Sequence, residues 1–147
     1  MSKTIIRSKD DAQGQAFHLL SMKAQAILAQ SKDITEAKQT ICDLLQSELP
    51  AYDWVGFYMV DGDKEELVLG PYAGKPTDHV RIPFGKGICG QSAVSQDTFI
   101  VDDVTKESNY IACSIDVKSE IVVPLFKDGR MIGQIDIDSS KPAAFNA

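Results

Sequence analysis

The 147-residue chain has no run near the roughly 18 uninterrupted apolar residues that a membrane-spanning helix needs. Its first residues, MSKTIIRSKDDAQG, contain no apolar core of a secretory signal. There is no basic patch, and the net charge is -6, so nucleic acid is not an expected partner. No membrane association is expected either. Metal-binding spacings are also missing. There is no CxxC and no HxxxH, and the two histidines, His18 and His79, lie far apart, so no metal site is expected. Three cysteines, Cys42, Cys89 and Cys113, make an odd count. With no secretory signal, that favours a reducing, cytoplasmic setting with free or transient thiols. Repeats, low-complexity tracts and linkers are absent, and the length suits one domain over residues 1–147.

What is present reads as helices first and strands afterwards. Residues 1–9 are expected to form an arm or an edge strand. Between Asp10 and Gln30, Phe17, Leu20, Ala24, Ile27 and Leu28 recur at helical spacing. Asp33 followed by Glu36 resembles a capping box and opens a second helix, which Pro50 ends. The helical part thus spans about 10–49, and the strands and their loops about 53–139. Cys42 sits inside the second helix with nothing to activate it, so a small core side chain is the expected role.

Asp53 to Val60 reads as a strand, turned at Asp61-Gly62-Asp63 into a short strand over 66–69. Alternation places Trp54, Gly56 and Tyr58 on one face and Val55, Phe57 and Met59 on the other. Trp54 and Tyr58 are either plain core or walls of a ligand pocket, with Gly56 leaving room between them. Residues 70–90 form a turn-rich loop that does not match a phosphate-binding pattern. Cys89 stands at its end, where a short helix begins. It is either a thiol activated by the helix N-terminus or a buried small residue.

The stretch NYIACSIDVKSEIVVP (109–124) places Cys113 seven residues before Glu120, at the mouth of an apolar strand. After a turn at Lys127-Asp128-Gly129, a second strand over 131–138 ends in Asp136 and Asp138. Paired as a hairpin, these strands would gather Glu120, Asp136 and Asp138 near Cys113. Short turns rather than helical crossovers join the strands. The expected fold is therefore α+β, an antiparallel sheet with helices packed on one face.

Several segments together resemble a known family. WVGFY (54–58), ELVLGPYAGKP (66–76), RIPFGKGICG (81–90), IAC (111–113), SEIVVPLF (119–126) and IGQIDIDS (132–139) are similar to segments of the free methionine-(R)-sulfoxide reductases. Those are small cytosolic enzymes built on a GAF domain. The resemblance implies a GAF-like sheet and reduction of free L-methionine-(R)-sulfoxide to methionine. It implies that a Cys113 thiolate attacks the sulfoxide sulfur and becomes a sulfenic acid. A disulfide with Cys89, or an external thiol, then clears the sulfenic acid. Glu120 is implied as the acid, Glu120, Asp136 and Asp138 as substrate carboxylates, and Trp54 and Tyr58 as pocket walls.

No bound cofactor is implied; thioredoxin or another thiol is the reductant, and a homodimer is the expected assembly. The family's third cysteine is missing, because the segment reads Gly74-Lys75-Pro76-Thr77-Asp78-His79-Val80-Arg81-Ile82, with His79 in its place. The family usually closes with a helix after the last strand, and residues 140–147 leave most of that helix out. Two other classes remain open: a non-catalytic GAF sensor that binds a small molecule, and a thiol redox sensor.

Overall fold

A computed structural model describes residues 12–107 and 117–145. The expected arm at 1–9 and the Cys113 segment lie outside the described residues. Helix α1 spans Ala12–Gln30 and helix α2 spans Ile34–Glu48. Asp33 caps α2: its side chain accepts from the N–H groups of Thr35 at 2.9 Å and Glu36 at 3.4 Å. That satisfies two of the donors that a helix start leaves unpaired.

The strands are β1 (Trp54–Asp61), β2 (Glu66–Ala73), β3 (Arg81–Pro83), β4 (Phe99–Val101), β5 (Ser119–Lys127) and β6 (Arg130–Ser139). Helix α3 spans Gly87–Ser95. One six-stranded sheet has the order β3-β2-β1-β6-β5-β4, with each neighbouring pair antiparallel. The β5–β6 hairpin closes on a two-residue turn. Asp128 and Gly129 both take positive φ, 53° and 78°, as the tight turn that matches strand twist requires. β3 was not expected from the sequence; three residues carry too little alternation to stand out of a turn-rich loop.

Two cores lie on opposite faces of this sheet. On one face Val55, Phe57 and Ile137 pack with Ile41 and Cys42 of α2. On the other, Trp54, Tyr58 and Val122 pack with Ile88, Cys89 and Ala93 of α3. The expectation that helices cover a single face therefore fails. Strand alternation makes both faces of β1 apolar, and the second needs a cover, which α3 supplies. The α+β class itself holds.

Candidate active site

The face covered by α3 carries the acids. Alternation along β6 turns Gln134, Asp136 and Asp138 to the same side. Their partners on β1 are Tyr58, Gly56 and Trp54, and their partners on β5 are Pro124, Val122 and Glu120. Glu120 and Asp138 thus sit directly opposite one another, with Asp136 one pleat further on. All three are at most 4% exposed.

Cys89 enters this cluster from above, as the third residue of α3. Its thiol donates to Glu120 Oε2 at 3.8 Å. Gln134 Nε2 donates to the Cys89 carbonyl at 3.2 Å, tying β6 to the first turn of α3. A small pocket opens here, lined by His79, Ile82, Lys86, Cys89, Glu120 and Asp136 among others. Its free volume of about 10 Å³ is comparable to what admits one water.

Asp136 is fully buried, and among the described residues no N–H or hydroxyl group donates to either of its carboxylate oxygens. Its polar neighbours are Glu120, Cys89 and Asp138. Among acids, a hydrogen bond requires that one partner keep a proton. Burial pushes the Asp136 carboxyl above the usual carboxylate range, against a smaller opposing pull from those neighbours. Burial therefore favours the protonated form of Asp136.

Residues 31–147 match the GAF domain family. The chain belongs to the GAF domain family. It is 50% identical over 93 residues to GAF domain-containing protein A of Dictyostelium discoideum, covering 63% of this chain and 58% of that protein. It is 42% identical over 108 residues to the free methionine-R-sulfoxide reductase of Saccharomyces cerevisiae, covering 72% of this chain and 59% of the yeast protein. The chain thus spans less than two thirds of the length of these two relatives. Among solved structures, the free methionine-R-sulfoxide reductase from Neisseria meningitidis in complex with its substrate superposes with a TM-score of 0.84 at 39% identity, covering 93% of this chain and 80% of that one.

In this GAF domain the aromatic residues named from the sequence lie on the same sheet face as the acids but outside the pocket lining. Trp54 stacks on Tyr72, with ring centroids 5.4 Å apart at 18°, and its Nε1 donates to the Lys75 carbonyl at 3.0 Å. The Tyr58 hydroxyl donates to the His79 carbonyl at 2.9 Å. Gly56 does not leave a ligand gap: a Cβ there would lie 2.2 and 2.5 Å from Trp54 ring atoms, so the indole itself fills that space. Tyr72 and Gln134 were not singled out from the sequence. Gln134 shares the alternation of Asp136 and Asp138, and that parity was the available signal.

Cys42 is fully buried and its thiol donates to the Pro71 carbonyl at 3.6 Å. Burial, with the nearby Asp43 charge adding to it, pushes that thiol up to about 12. An inert core role for Cys42 follows.

Proposed function

We propose that this chain reduces free L-methionine-(R)-sulfoxide to methionine. The observation that carries the reading is the buried Cys89–Glu120–Asp136 cluster beside a pocket, in a fold shared with relatives that bear that name. The Cys113 thiolate attacks the sulfoxide sulfur. As the S–O bond breaks, the oxygen passes to Cys113 and gains one proton, so that methionine and a Cys113 sulfenic acid are the products. Glu120 is the acid, and the proton held among Glu120, Asp136 and Asp138 is the one delivered. The carboxylate of the cluster that stays ionised holds the substrate's ammonium group from the start.

Trp54 and Tyr58 hold the pocket wall in position for the S-methyl end. Cys89 then attacks the sulfenic acid, releasing water and leaving a Cys89–Cys113 disulfide for thioredoxin or another thiol to reduce. His79, in place of the family's third cysteine, supplies no thiol to this relay. A homodimer is part of the reading; Phe17, Leu19 and Met22 of α1 expose apolar surface that a second copy can cover. A cytoplasmic setting completes it.

The test is consumption of free L-methionine-(R)-sulfoxide with dithiothreitol and then thioredoxin. The (S) epimer and a peptide-bound sulfoxide are controls. Turnover of the free (R) form alone, lost in Cys113→Ser, is the expected outcome. A folded chain that turns over none of them is a ligand-binding GAF domain instead.

A further inference from the structure

We propose that Cys89, Glu120 and Asp136 form a binding site for a divalent transition-metal ion of the zinc and cobalt class. One ligand atom from each side chain lies within 4.8 Å of the other two, and all three residues are buried. Cys89 Sγ and Glu120 Oε2 are 3.8 Å apart. A tetrahedral ion with bonds of about 2.3 Å to sulfur and about 2.0 Å to oxygen holds such atoms about 3.5 Å apart. The Cys89–Glu120 pair needs to close by only a few tenths of an ångström. One soft sulfur with two carboxylate oxygens selects zinc or cobalt over magnesium, which prefers six oxygens and keeps its waters.

Asp136 is the independent observation. Among the described residues it accepts from no N–H or hydroxyl, and a buried carboxylate without such a donor is rare in folded proteins. It needs either a proton or a cation. The pocket beside it, about 10 Å³, has room for an ion. Three protein ligands leave the fourth position facing that pocket, with His79 in its wall. No short ligand motif signals the site, because its residues come from α3, β5 and β6.

Binding is an exchange without redox change. The Cys89 thiol proton and the proton held between the carboxyls pass to solvent, while metal–sulfur and metal–oxygen bonds replace metal–water bonds. The site uses residues of the proposed reductase centre, but ion binding does not depend on that activity. Where that reading also holds, the ion occupies the place of the substrate's ammonium group and inhibits.

The experiment titrates the reduced, chelator-treated full chain with cobalt(II) without substrate and follows the thiolate-to-cobalt charge-transfer band. One ion per chain is expected, with the band retained in Cys42→Ala and Cys113→Ser and lost in Cys89→Ala. Asp136→Asn and Glu120→Gln, each checked for folding by circular dichroism, should each weaken binding about tenfold or more. Excess magnesium should not displace cobalt. A folded wild type without the band, or a band that survives Cys89→Ala, overturns the site. Turnover is assayed separately on metal-free protein. A band without turnover removes only the reductase reading, and turnover without a band removes only the metal site.

Discussion

Cys42 and Cys89 are both buried thiols, and what surrounds each decides its chemistry. Cys42 faces the apolar side of the sheet with a carbonyl as its neighbour, and its thiol is held at about 12 against an ordinary 9.0. In the unfolded chain it ionises near 9. Between those values the folded state binds more protons, so this contribution to stability is whole below about 9 and is lost as pH climbs toward 12. The slope is at most about 1.4 kcal/mol per pH unit. From about pH 9 to 10.5 the urea midpoint of the wild type should fall more steeply than that of Cys42→Ala. Tyr52, also raised by burial, acts in both proteins and cancels in the comparison. Parallel slopes would show that Cys42 titrates as an ordinary thiol. Cys89, by contrast, meets a carboxylate at 3.8 Å and lines a pocket.

At the scale of the element, β1 matters most, because it serves both cores and holds the aromatic stack. Gly56 is the position that lets the Trp54 indole lie across the strand onto Tyr72. Gly56→Ala should displace the ring and cost about 1–3 kcal/mol as overpacking. That corresponds to a fall of roughly 2–12 °C in Tm for a domain of this size. Trp54 is the sole tryptophan, so its emission should shift to the red as the ring leaves its buried place. Gly62→Ala is the control, since a Cβ there meets nothing within 4 Å. Equal thermal and emission behaviour in the two variants would refute the packing role of Gly56.

For the whole molecule, one sheet is shared by two cores, and neither core can be lost without stripping the other of its floor. Trp54 reports on the α3 side. Helical circular dichroism reports mainly on α1 and α2, the two longer helices; α2 covers the other side. Tryptophan emission and helical signal should therefore give one coincident urea transition. Two separated midpoints would mean that the faces unfold independently.

The sequence alone determined the α2 cap at Asp33, the alternation that splits β1 into two faces, the Asp128-Gly129 turn and the α+β class. Each depends on neighbours a few residues apart, where backbone sterics and periodicity act directly. It also singled out Glu120, Asp136, Asp138 and Cys89 as candidates. It did not reveal that β6 docks on β1, which sets Asp136 and Asp138 beside Gly56 and Trp54, nor that α3 covers a second face and lowers Cys89 onto Glu120. Those pairings join residues separated by 31 to 84 positions in the chain. Only burial of both sheet faces selects them, because the long-range contacts must together outweigh the cost of closing such loops. The room beside Gly56 was misread for the same reason: a glycine shows that something approaches, and only the packed structure showed that it is the Trp54 ring.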